Sequence, residues 1–79
     1  MISIRKTFHI AYDEALEQWI LTYTAADQPF SAHTTKDDAV QAGRELANNQ
    51  QPSQLIIHKM DGSVQTEYNY GEEPYQAEM

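Results

Sequence analysis

Apolar and polar positions alternate with a period of two in the first and last thirds of the chain, and recur every three or four residues between them. Residues 7–12 place Phe8, Ile10 and Tyr12 on one side, as a half-buried strand requires. The acidic run 13–17 breaks that pattern as a short loop. A second strand is expected over residues 18–24, with Trp19, Leu21 and Tyr23 on one face and Ile20 on the other. Residues 25–29 read as a turn. Residues 30–33 form a brief third strand, which Pro29 bars from donating a ladder hydrogen bond at its start.

The middle of the chain reads as a helix. Thr34 and Thr35 are N-cap candidates, and Asp37 and Asp38 fall in the first turn, where the helix dipole favours negative charge. Ala39, Ala42, Gly43, Leu46 and Ala47 make a stripe of small residues flanked by Val40, so this helix can approach its neighbour closely. The polar run 48–52 with Pro52 ends it. Residues 54–60 are the most apolar strand, and 63–68 its hairpin partner. Asp61-Gly62 predicts a two-residue type I′ turn, which needs positive φ at both central positions. The order is strand, strand, short strand, helix, strand, strand. The expected fold class is α+β: an antiparallel sheet of four to five strands with one helix packed on one face. One domain spans residues 1–79, with an ordered core over about 6–70 and a loose acidic tail over 72–79.

Composition narrows the function more than it defines it. Seventy-nine residues make a core near the lower limit of self-sufficiency. No cysteine is present, which removes disulfides and thiolate chemistry and favours a reducing compartment. No apolar run approaches transmembrane length and the N-terminus lacks a signal-peptide pattern, so a cytoplasmic location without membrane attachment is expected. Twelve acidic residues against five basic ones give a net charge of -7. Five scattered cations cannot neutralise a run of phosphates, which argues against direct nucleic-acid binding.

Candidate chemistry is sparse. His9, His33 and His58 lack the close spacing of a metal-binding pair on one helix or hairpin, and a structural, hydrogen-bonded role suits His58. Ser3, Ser31, Ser53 and Ser63 stand in no nucleophile-elbow context. The adjacent pairs Asp37-Asp38 and Glu72-Glu73 point their side chains apart, and the three glycines form no phosphate cradle. No catalytic residue, metal or cofactor is expected, and the chain reads as non-enzymatic. The aromatics are richer, because tyrosine and tryptophan fill small cores and interfaces alike. Trp19, Tyr23, Tyr70 and Tyr75, with the acidic Asp13, Glu14, Glu17, Glu72 and Glu73, are the candidate partner-binding residues.

Several segments together resemble a known family. They are Phe8-His9-Ile10, the Trp19 that opens the second strand, and Thr34-Thr35-Lys36-Asp37-Asp38-Ala39-Val40 leading into Ala42-Gly43-Arg44-Glu45-Leu46-Ala47. They continue with Leu55-Ile56-Ile57-His58-Lys59-Met60-Asp61-Gly62 and Tyr70-Gly71-Glu72-Glu73-Pro74. In order and spacing, over roughly residues 7 to 75, they resemble the small, mainly bacterial DUF2188 family. The resemblance implies a fold and brings no activity, cofactor or catalytic residue. The acidic 13–17 loop departs from the commoner pattern.

Two functional classes follow. The first is a non-enzymatic protein-interaction module presenting a sheet face or edge. The second is an acidic decoy, phage- or host-encoded, that occupies a basic nucleic-acid-binding surface of a partner. Strands apolar on both sides also predict a two-fold homodimer, since one helix about 10 Å across cannot cover five strands spaced about 4.8 Å apart.

Overall fold

The computed structural model describes residues 6–24 and 28–71. Over these the chain forms β1 (Lys6–Asp13), β2 (Gln18–Tyr23), β3 (Ser31–His33), α1 (Lys36–Asn49), β4 (Ser53–His58) and β5 (Val64–Tyr70). The five strands make one sheet in the order β3-β2-β1-β4-β5, with α1 across one face. The fold is α+β, with the elements in the expected sequence. The tail expected over 72–79 lies outside the described residues.

Alternation along each strand decides what α1 covers. Phe8 and Ile10 on β1 pair with Tyr23 and Leu21 on β2, and with Leu55 and Ile57 on β4. These side chains and Trp19 form the core, in which Phe8, Ile10, Leu21, Leu55 and Ile57 are at most 3% exposed. The helix meets them with Ala39, Gly43 and Ala47, its buried residues, one per turn. Gly43 shows why the stripe is small. A Cβ there would lie 2.9 Å from Ile10 Cδ1 and 3.0 Å from Leu55 Cδ1, both on fully buried side chains. The helix starts where the cap residues place it. Thr35 has extended backbone and its hydroxyl accepts the Asp38 N–H at 3.2 Å.

Two expectations need correction. The sheet is mixed rather than antiparallel, because β1 and β4 pair in parallel. Counting reversals explains it. The turns after β1 and β2 reverse the chain twice, so β3 runs with β1. The 14-residue helix carries the chain back along the sheet, so β4 again runs with β1. Among the first three strands only β2 runs antiparallel to β4, and its two edges are taken by β1 and β3. β4 therefore joins β1 in parallel and finds its antiparallel neighbour in β5.

The β4–β5 turn is also longer than two residues. Lys59 N–H donates to Ser63 C=O and Gly62 N–H to Lys59 C=O, enclosing a three-residue tip. Only Gly62 in that tip has positive φ, at 95°. A turn followed by one left-handed residue is the usual three-residue hairpin. Asp61 is held in the turn by its carboxylate, which accepts from Ser63 N–H at 2.9 Å and Ser63 hydroxyl at 2.7 Å. These bonds spare Asp61 the left-handed conformation a type I′ turn demands.

Candidate interaction face

The face of the sheet opposite α1 is set by the same alternation. Thr7, His9 and Ala11 of β1 alternate with the buried Phe8 and Ile10, and so point away from the helix. Thr22 lies opposite His9, Ile20 opposite Ala11, and Ala32 opposite Ile20. Ile56 stands beside His9 in the parallel register, with Glu67 opposite it and Asn69 opposite Gln54. Threonine, glutamine, asparagine, histidine and Glu67 thus surround two isoleucines. All but the β5 members are half-buried or, like Ala32, exposed at the edge, and none is closed over by a described element.

A chain of hydrogen bonds runs across this face. His58 Nδ1 lies 3.0 Å from the Gly62 carbonyl oxygen, His9 Nδ1 lies 3.0 Å from His58 Nε2, and His9 Nε2 lies 3.0 Å from Thr24 Oγ1. Burial, and after it the neighbouring His58, hold the His9 imidazole below its ordinary value of 6.5. Beside it, Gln54 Nε2 donates to Glu67 Oε1 at 3.1 Å. Among the described residues no group of three or more histidine, cysteine, aspartate or glutamate side chains could hold a metal ion.

The parallel β1–β4 pairing has a second consequence. It brings the β1–β2 turn, the β4–β5 turn and the start of α1 to the same end of the sheet. Asp13, Glu14 and Glu17 lie at that end with Asp61, Asp37 and Asp38, and Leu16 and Met60 are exposed at the two turns. Asp13 Oδ1 accepts the Leu16 N–H at 3.1 Å, and Glu17 closes its turn with φ at 55°. Ser63 N–H, and then its hydroxyl, hold the Asp61 carboxyl below the usual carboxylate range.

The aromatic candidates lie elsewhere. Trp19 is buried beneath α1, its ring 5.2 Å from that of Tyr12 and under the Lys36 ammonium at 5.4 Å. Tyr23 is half-buried with its ring 5.2 Å from Phe8. Tyr70 is half-buried at the β5 edge, where its hydroxyl accepts from Arg44 Nε at 3.3 Å while the guanidinium lies 4.7 Å from the Tyr68 ring. Tyr75, Glu72 and Glu73 lie outside the described residues. The structure therefore gathers Asp13, Glu14 and Glu17 at one end and spreads Trp19, Tyr23 and Tyr70 across the helix-covered face.

The His9–His58 contact was not anticipated from sequence, where 49 positions separate the two rings. The usable signal was the reversal count that makes β1 and β4 parallel, which lets residues of the two strands lie side by side. Comparison with known proteins gives one result. The family model described as an uncharacterized protein conserved in bacteria, DUF2188, matches residues 8–70. No curated protein and no solved structure matches the chain.

Proposed function

The chain belongs to the DUF2188 family, and from that premise we propose that it is a non-enzymatic protein-interaction domain that docks a partner on the open face of its sheet. The single supporting observation is the asymmetry of the sheet. One face is closed by α1, while the other offers Ile20 and Ile56 within a polar ring of threonine, histidine, glutamine and Glu67. A small apolar centre with a polar rim is how transient protein interfaces are composed. The occupant is a protein surface of matching shape or a second copy of this chain, the two-fold dimer expected from sequence. Charge disfavours nucleic acid.

Ile56→Arg tests it. The substitution keeps the buried Leu55 and Ile57 and places a charge in the centre of the open face. The expected outcome is an unchanged circular dichroism spectrum with loss of the partner captured by the parent chain. Unchanged capture would sink the proposal. Sedimentation at tens of micromolar assigns the occupant. A mass of twice 9.0 kDa identifies a second copy, and a concentration-independent 9.0 kDa leaves a different protein.

The acidic decoy keeps a place because six carboxylates gather at one end of the sheet. Capture of a nucleic-acid-binding protein that is released steeply by salt, and is lost on neutralising Asp13, Glu14 and Glu17, would move the reading there. Salt-insensitive capture removes it.

A further inference from the structure

We infer that His9 and His58 form one coupled proton-binding unit on the open face, with a single tautomer order set from one end and room for one proton more easily than two. The bonds themselves carry this. A carbonyl oxygen only accepts, so the Gly62 carbonyl requires a hydrogen on His58 Nδ1. Neutral His58 then has a bare Nε2, so His9 Nδ1 must donate to it. That leaves His9 Nε2 bare, and the Thr24 hydroxyl donates there. One backbone carbonyl therefore sets the tautomer of both rings and the direction of the whole chain.

The ring geometry says what kind of contact this is. With ring bonds of about 1.35 Å, each nitrogen of an imidazole sits about 1.15 Å from its ring centre. Two rings joined nitrogen to nitrogen at 3.0 Å therefore reach a centroid separation of about 5.3 Å only when the bond lies along the line of centres. The observed separation is 5.3 Å, with the planes 24° apart. The rings meet edge to edge, with the His9 Nδ1–H aimed at the His58 Nε2 lone pair. Two ligands of one metal ion would instead aim their lone pairs at a third point, so this geometry selects a shared proton over a metal.

Proton counting follows. A first added proton enters at His9 Nε2. The Thr24 hydroxyl turns from donor to acceptor, every hydrogen bond survives, and the charge is shared along the Nδ1–H–Nε2 line. A second proton has only His58 Nε2 to occupy, where it meets the His9 Nδ1–H head on and sets two cations side by side. The surroundings do little to relieve this. On the open face β2 offers Thr22, with Thr24 just past its end, and no ionisable group, and β4 offers only His58. Beyond them no hydrogen bond joins either ring to the carboxylates of Glu67, Asp61 or Asp13, which bond instead to Gln54, Ser63 and the Leu16 N–H, and Lys59 adds positive charge. A partner on this face would meet a neutral pair at pH 8 and at most one positive charge in mild acid. That consequence rests on the docking reading above; the titration does not.

The test is a long-range nitrogen–proton NMR titration of the imidazoles in the full chain from pH 8 to pH 4. At pH 8 both rings are expected as the Nδ1–H tautomer, against the ordinary preference of free histidine for Nε2–H. On acidification the His9 nitrogens should report the coupling as two separate steps. His58→Gln should turn the two-step His9 curve into a single step. An Nε2–H tautomer on either ring at pH 8, or a His9 curve identical in the parent and in His58→Gln, would overturn the inference. If the variant does not fold, the tautomers of the parent chain decide alone.

Discussion

The two faces of this sheet sit one residue apart in sequence and differ in almost everything else. On the helix side, Phe8, Ile10, Leu55 and Ile57 are closed off by a helix so near that a Cβ at Gly43 would push on the side-chain ends of Ile10 and Leu55. On the other side, His9 and Ile56 occupy the alternate positions of the same strands, half-buried among threonines, with a hydrogen-bond chain running over the surface. Stability is concentrated on the first face, where apolar area is fully removed from water. The second contributes less to folding and is correspondingly free to carry recognition. A 79-residue chain needs one face for its core; how it uses the other is a separate choice.

The sharpest way to break this comparison is to truncate neighbours that point in opposite directions. Leu55→Ala should destabilise by about 2–5 kcal/mol, the cost of a cavity in a closed core. Ile56→Ala, one residue along, should cost about 1 kcal/mol or less, as expected for a site that keeps contact with water. Urea denaturation of both variants measures the difference, and equal losses would mean that the open face is as buried as the covered one. Next in size is Gly43→Val, which forces side-chain carbons into Ile10 and Leu55. Overpacking of this kind costs about 1–3 kcal/mol and should lower the thermal midpoint without loss of helix signal at low temperature.

A smaller effect is expected from Thr35→Ala, which removes the hydroxyl that accepts the Asp38 N–H and should cost about 1 kcal/mol. Thr35→Ser should restore most of it. Smallest is the pH dependence contributed by the open face. The folded state holds His9 below the 6.5 of the unfolded chain, so the native state binds fewer protons than the unfolded one in mild acid. Its contribution is fully present above pH 6.5 and is lost as the pH falls through 6.5 towards the lower folded value. Denaturation midpoints at pH 7.5 and pH 5.5 should therefore fall further in the parent chain than in His9→Gln. An identical fall in both would place the proton uptake elsewhere.

The elements of the covered face were legible in the order of residues because each rests on a local period. Phe8 and Ile10 alternate, Ala39, Gly43 and Ala47 recur once per helical turn, and Thr35 with Asp37 and Asp38 marks where the helix begins. Those features need no knowledge of the neighbours. The β4–β5 tip was half legible: Gly62 does take the left-handed conformation, but Ser63 bonds to Asp61 in a way that the dipeptide alone does not announce. The DUF2188 resemblance likewise follows from residue order and spacing, and the match over residues 8–70 agrees with it.

What tertiary structure decided is who stands beside whom. Alternation says that His9 and Ile56 face away from the core, yet it does not say that β1 and β4 are neighbours, or that they run in parallel. Direction follows from counting chain reversals, but adjacency depends on where a 14-residue helix can set the chain down over a twisted sheet, which is a property of the packed whole. That one adjacency brings His9 against His58 across 49 residues and joins the acidic turns at one end. Local periodicity determines the faces, because side-chain direction is a property of a single strand. The candidate site belongs to the tertiary structure, because it is made of pairs.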